Sequence, residues 1–211
     1  FLKDLGYVSQ HANGRYSFDK KNSYFIDVKS FNKNAELEIS AHYVSKKWTN
    51  SYTLPNSRSM EIKYHISLSA FSENDFIPRI ADDRVGYFST YFQDYSNTLQ
   101  ETQYVRYINR WNLVKKNPTV KLSEPLKPIV FWIENTVPEE YRAAIAEGVL
   151  AWNQSFEKIG FKDAIVVKQM PDDADWDPAD VRYNTIRWIV QPGSGYAVGP
   201  SRANPFTGEL Y

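Results

Sequence analysis

The chain has 211 residues, long enough to bury a substantial core, and its 25 Lys plus Arg balance 25 Asp plus Glu. Zero net charge argues against a general nucleic-acid binder, and the absence of cysteine removes disulfides, thiolate metal sites and cysteine nucleophiles together. No apolar run approaches the roughly 18 residues a membrane helix needs, and the chain opens on Phe1 rather than Met, as expected of an excised or processed piece.

The first third reads as antiparallel sheet. In AELEISAHY, Ala35, Leu37, Ile39, Ala41 and Tyr43 alternate with Glu36, Glu38, Ser40 and His42. In SMEIKYHISLSA, Met60, Ile62, Tyr64, Ile66, Leu68 and Ala70 alternate with polar residues. Period two over this length predicts one buried and one wet face. Less regular strands are expected around Gly14-Arg15-Tyr16 and from Ser23 to Val28. Residues 1–77 are therefore expected as a β-rich domain.

Residues 78–127 mix aromatics with Arg and Asp and show no long period; Pro78, Pro118 and Pro125 favour extended chain. This stretch is expected as a docked connector. Within it, PRIADDRVGYF sets Arg79, Asp82, Asp83 and Arg84 beside apolar residues. That is either a salt-bridged docked segment or a strand, like that of a pro-segment, approaching a catalytic cleft.

From Pro128 the pattern clears. PIVFWIE reads as a short apolar strand. Pro138 opens a helix at its first position, with Glu139 and Glu140 where the helix dipole favours anions. Tyr141, Ile145, Gly148, Trp152, Phe156 and Ile159 step by three or four and predict one apolar stripe. On that reading Trp152 faces the sheet and Gly148 allows close helix–sheet approach. Gly160 closes the helix and Phe161 folds back on its last turn. DAIVVKQM and NTIRWIVQ are two further strands, and strand–helix–strand predicts a parallel, right-handed connection. Residues 128–211 thus read as an α/β region with few elements.

Few residues carry chemistry. Asp173, Asp175 and Asp177 have the one-three-five spacing of a calcium loop, but Pro178 stands where that loop needs Gly and Asn184 where it needs Glu. A solvated loop pinned by Trp176 is the alternative. His11, His42 and His65 are the only imidazoles, and their spacing matches no zinc motif. They read as exposed and structural. Nucleotide and nucleophile-elbow motifs do not occur, and GSGY at 193–196 reads as a turn.

The ordered series RSMEIKYHISLS, PRIADDRVGYF, YVRYINRWNL, PIVFWIENTVPEEYR, WNQSFEKIGFKDAI, WDPADVRYNTIRW and GPSRANPFTGE resembles a family of large bacterial zinc-dependent metalloproteases of the metzincin type. The resemblance runs from about Arg58 to Tyr211. It implies a mixed α+β fold, an N-terminal antiparallel β-rich domain followed by the first half of a metzincin-like catalytic domain: a twisted mixed sheet, one long backing helix and an edge strand along the cleft. It also implies that Gly195, Tyr196, Ala197, Val198 and Gly199 align a peptide or protein substrate. The zinc-binding H-E-x-x-H helix would follow beyond Tyr211. This chain is then expected to carry no catalytic residue, metal ligand or cofactor of its own, with zinc in the parent enzyme and the missing C-terminal half of the catalytic domain as its partner. A bacterial envelope or secreted location follows from the resemblance alone.

Two rivals stand beside this reading. One is a binding module for carbohydrate or protein, using Tyr16, Tyr24, Trp48 and Tyr52 as stacking platforms; the 16% aromatic content favours it. The other treats residues 1–127 as an inhibitory or chaperoning pro-region.

Overall fold

A computed structural model describes residues 16–48, 54–71, 74–96, 99, 101–193 and 195–211. His11, Gly14, Arg15 and Tyr52 lie outside the described residues. The chain divides into two compact units, Phe1–Ala70 and Phe71–Tyr211.

The first unit is an antiparallel sheet built around one long strand. Strands β1 (Ser17–Phe18) and β2 (Tyr24–Ser30) pair one side of β3 (Asn34–Val44), and β4 (Ser59–Ser69) pairs the other over its full length. The expected alternation sets the register: Leu37 faces Ile66, Ile39 faces Tyr64 and Ala41 faces Ile62. Ile39 and Ala41 are fully buried and Tyr43 nearly so. Phe18 meets Tyr43 edge-on at 5.8 Å. Tyr16 packs against the same cluster and donates its hydroxyl hydrogen to the Ser57 carbonyl at 2.7 Å. It is a core residue, not a stacking platform.

The opposite face of β3 departs from expectation. Asn34, Glu36 and Ser40 are buried rather than wet, because polar neighbours satisfy one another across the strands. Glu36 accepts hydrogen bonds from Asn34 and Ser67, both at 2.5 Å, and pairs with His65 Nε2 at 2.6 Å. Ser40 donates to Glu61 at 2.7 Å. His42 bridges Asp19 and Ser59 at 3.2 and 2.8 Å and is only partly exposed.

In the second unit, residues 78–127 carry more regular structure than a connector. Strands β5 (Ser89–Gln93) and β6 (Tyr104–Ile108) form an antiparallel pair, and Ile80 bridges to Tyr107 on the far side of β6. Asp82 takes both guanidinium arms of Arg84, and Asp83 pairs with Arg106. Strand β7 (Arg110–Trp111) follows.

A parallel three-stranded sheet lies at the heart of the α/β region. Strand β8 (Ile129–Ile133) is central, between β9 (Ile165–Gln169) and β10 (Asn184–Ile186). The chain crosses from β8 to β9 through α1 (Glu139–Leu150) and α2 (Asn153–Lys158). Pro138 caps α1 from outside and Glu139 is its first residue, one place later than the sequence suggests. The C-terminal glycine is as expected. Gly160, at φ +93°, donates to Glu157, and Phe161 donates to Phe156, closing a Schellman motif.

The apolar stripe is misplaced by one residue. The helix breaks at Ala151 and Trp152, and Trp152 is 65% exposed, as are Tyr141 and Ile159 in large part. Gly148 is exposed and a Cβ there would meet nothing within 4 Å. Ile145 and Phe156 of the expected stripe are half-buried, but Arg142, Ala146, Val149 and Asn153 complete that face in place of Tyr141, Gly148, Trp152 and Ile159. Two of these are polar, which conceals the true stripe. Asn153 behaves as a short piece of strand: its amide nitrogen donates to the Ile165 carbonyl at 3.0 Å and its carbonyl accepts from the Ile165 N–H at 2.8 Å. Arg142 donates to the Asn135 and Val137 carbonyls, both at 2.8 Å, tying α1 to the loop before it.

Strand β11 (Glu209–Leu210) completes the unit by pairing parallel with β7. The architecture is mixed α and β, dominated by strand.

Candidate functional site

Ligands of open α/β sheets gather at the carboxyl ends of the parallel strands. Here that edge carries Glu134, just after β8, and Arg187, just after β10. Glu134 is buried, yet its charge is matched. Arg187 contacts both carboxylate oxygens, Nη2 to Oε1 at 3.1 Å and Nε to Oε2 at 3.2 Å, and Thr136 donates to Oε2 at 2.7 Å. A bidentate arginine on a buried carboxylate fixes direction as well as charge. Next, Trp188 stacks on Tyr141 at 5.2 Å and 11°. Together these contacts set the path of the chain as it leaves the sheet.

That path leads to the segment expected to align a substrate. Residues 195–199 lie in no strand, and all five are exposed. Tyr196 and Val198 are 71% and 70% exposed, and Ile189 and Val190 before them are more so. The strand character read from Tyr196-Ala197-Val198 is therefore not realised in this structure. Backbone with few contacts stays irregular when no second strand is in place to pair it.

Two stretches singled out in the sequence do meet. Gly86, Tyr87 and Phe88, from the end of PRIADDRVGYF, line one groove of ≈ 450 Å³ with Asn109, Ser201 and Leu210. Its wall is apolar and aromatic, with the Asn109 amide and the Ser201 hydroxyl as polar groups. Asn109 is held in place: its N–H donates to the Phe88 carbonyl at 2.8 Å, and its side-chain oxygen accepts from Thr90 at 3.0 Å. Nothing in the sequence pattern points to Asn109, or to Glu134 and Arg187 as a pair. The one available signal was an acidic residue closing an otherwise apolar strand.

The other candidates separate. Trp176 does pin the aspartate loop: it stacks on Tyr183 at 4.0 Å and 9° and meets Trp132 edge-on at 5.3 Å. Asp177 accepts from the Ala179 N–H at 2.8 Å, closing a turn. In the same loop the Arg182 guanidinium holds the buried Asp180 carboxyl below the usual carboxylate range, with bonds of 2.5 to 3.0 Å. Among the described residues no three His, Cys, Asp or Glu side chains group so as to hold a metal ion. His42 and His65 are engaged with carboxylates as above. The described residues therefore do not fit a zinc centre, and no chemistry through zinc is assigned to them. Among the described residues no helix is long and apolar enough to cross a membrane. Of the proposed stacking platforms, Tyr24 and Trp48 are exposed and Tyr16 is core.

Comparison with curated proteins and with solved structures found no match. A family profile does match over residues 2–116, more than half of the chain, and on that basis this protein belongs to the family described as Domain of unknown function (DUF5117).

Proposed function

We propose that this chain is the non-catalytic part of a zinc-dependent metalloendopeptidase of the metzincin type, supplying scaffold and one wall of the substrate cleft. The observation that carries the reading is the order of parts after β7. A parallel sheet with a helical crossover is followed by an exposed segment, 195–199, directed by Arg187 and Trp188. The resemblance implies those parts, in that order, ahead of a zinc-binding helix. The groove where Tyr87 and Phe88 meet Ser201 supports it further, because an apolar wall with two polar groups suits a side chain of an extended peptide. On this reading 195–199 is a latent edge that becomes a strand when a peptide supplies the second half of the ladder. Secretion or retention in a bacterial envelope belongs to the same proposal.

The test is made in the longer protein. Ala197→Pro removes one backbone donor and should lower kcat/KM for peptide cleavage while leaving zinc content unchanged. Full activity in that variant, or a longer protein that lacks H-E-x-x-H and takes up no zinc, would overturn the reading. The present chain by itself should neither retain stoichiometric zinc through dialysis nor cleave casein.

A further inference from the structure

Strand β11 is two residues long, and the chain closes a loop of nearly a hundred residues to bring it beside β7. A two-residue pairing of that kind holds little by itself. What secures it lies in the side chains. Glu209 is 6% exposed, and both its oxygens accept from the Asn74 amide at 2.8 Å. Asn74 is itself locked, its own oxygen accepting from the Phe76 N–H at 3.0 Å. In register with Glu209 stands Arg110. Its guanidinium lies over the Phe76 ring at 4.2 Å and donates to the Ile77 carbonyl at 2.7 Å. Among the described residues its Nε is buried without a hydrogen-bond partner. A cation so placed is costly unless an anion lies near it; burial and the neighbouring Arg79 charge disfavour the Arg110 cation, and the Glu209 carboxylate acts on it in the favourable direction, beyond direct ion-pair contact. The backbone is equally specific. Arg110 N–H donates to the Gly208 carbonyl at 3.0 Å. Gly208 has φ +77°, and a Cβ there would sit 2.6 Å from the Ile108 carbonyl oxygen. Only glycine fits that approach.

We infer that Asn74, Phe76, Ile77 and Arg110 form a receptor for a short Glu-apolar strand entered through a left-handed glycine, occupied in cis by Gly208-Glu209-Leu210. The site accepts by strand addition, with a carboxylate as its anchor. It goes beyond the protease reading and holds whatever reaction the longer protein performs. Its consequence concerns the family domain. The acceptor residues lie inside the matched stretch 2–116, and the strand comes from the far end of the α/β region. The matched stretch is thus completed by residues outside it, and residues 74–111 cannot behave as a pro-segment that detaches after cleavage. The clamp also fixes the groove, since Asn109 and Leu210 are the chain neighbours of Arg110 and Glu209.

The experiment uses the full chain with a specific protease site inserted between the exposed residues Gly195 and Tyr196. After cleavage, native mass spectrometry and gel filtration should find the fragment 196–211 still bound. Glu209→Gln keeps the shape and removes the charge; it should weaken retention about tenfold or more. Gly208→Val should release the fragment completely. If that variant fails to accumulate, Asn74→Ala reads the same contact from the acceptor side and should also weaken retention. Departure of the fragment from the cleaved wild-type chain would overturn the inference, as would undiminished retention in Glu209→Gln and Asn74→Ala.

Discussion

The β3–β4 ladder and the helical crossover of the α/β region are held by different means. The ladder runs eleven residue pairs without a break, from Asn34 opposite Ser69 to Val44 opposite Ser59. From Ala35 to Tyr43 each apolar side chain on one strand meets another across it, and the backbone pairs at every step. In the crossover no helical residue is fully buried. Its contacts with neighbouring backbone are made by polar groups: Asn153 on the edge of β9, Arg142 on the loop before α1. A ladder spreads its stabilisation over many similar contacts, whereas the crossover concentrates it in a few directional ones. Loss of a side chain should therefore act through volume in the first region and through unsatisfied backbone in the second.

The strongest test of that contrast lies in the ladder. Ile39 is completely buried at its centre, and Ile39→Ala should cost about 2–5 kcal/mol through lost burial and the cavity left behind. Urea unfolding followed by far-ultraviolet circular dichroism would show it as a lower midpoint with an unchanged slope. A cost under about 1 kcal/mol would mean that the centre of β3 is not a packed core.

In the crossover the comparison sharpens between adjacent residues. Asn153→Leu is close in size but leaves the Ile165 N–H and carbonyl without their partners, and each orphaned group costs about 1–3 kcal/mol when shielded from water. Trp152→Ala removes a far larger side chain, yet Trp152 is mostly in solvent, so surface magnitudes of about 0.5 kcal/mol apply. Thermal unfolding of the two variants should rank Asn153→Leu as clearly the worse. The opposite ranking would restore the stripe read from the sequence.

That ranking marks how far sequence reasoning reaches. Strict alternation over Ala35–Tyr43 and Met60–Leu68 leaves one register for a sheet with an apolar face, so β3, β4 and their pairing were legible. The parallel sheet and the glycine end of the crossover were legible too, from apolar runs and from Gly160-Phe161. The helix face was not. Amphipathicity assumes that buried means apolar, and here the inward positions 142 and 153 are Arg and Asn with backbone partners found only in the fold. The same assumption hid the buried polar face of β3, where Glu36 is satisfied by residues on β3 and β4. As to the candidate site, PRIADDRVGYF and GPSR were singled out, but that they line one groove depends on long-range pairing that no local pattern encodes. Glu209 was invisible for the same reason, since its partner Asn74 lies 135 residues away.

A smaller, pH-dependent effect separates the loop after β9 from both regions. The Asp180 carboxyl is held below its ordinary range chiefly by the Arg182 guanidinium. A carboxyl depressed in the folded state contributes stability above its unfolded value, near 3.9, and that contribution is lost as pH falls through the folded value. Asp180→Asn should therefore destabilise by about 1.5–3 kcal/mol at pH 7 and by progressively less below about pH 4. Parallel acid-unfolding curves for wild type and variant would refute this.

The smallest effect has the opposite sign. Gly148 sits inside α1, two residues before its last, and the apolar stripe read from the sequence makes it a close-approach position where any side chain overpacks. The structure gives it open space: a Cβ would meet nothing within 4 Å. A helical glycine without that packing constraint only adds conformational freedom to the unfolded chain, and replacing it with alanine stabilises by about 0.5–1 kcal/mol. Gly148→Ala should accordingly raise the thermal midpoint by a few degrees at most. Gly148→Leu should be tolerated, because an exposed site accepts the larger side chain as readily as the smaller. The pair of variants distinguishes the two placements cleanly. If Ala stabilises and Leu is neutral, Gly148 faces solvent and the buried stripe runs through Ile145, Val149 and Asn153. If Leu destabilises by the 1–3 kcal/mol typical of overpacking, the helix is rotated toward Trp152, and the role given to Asn153 fails with it.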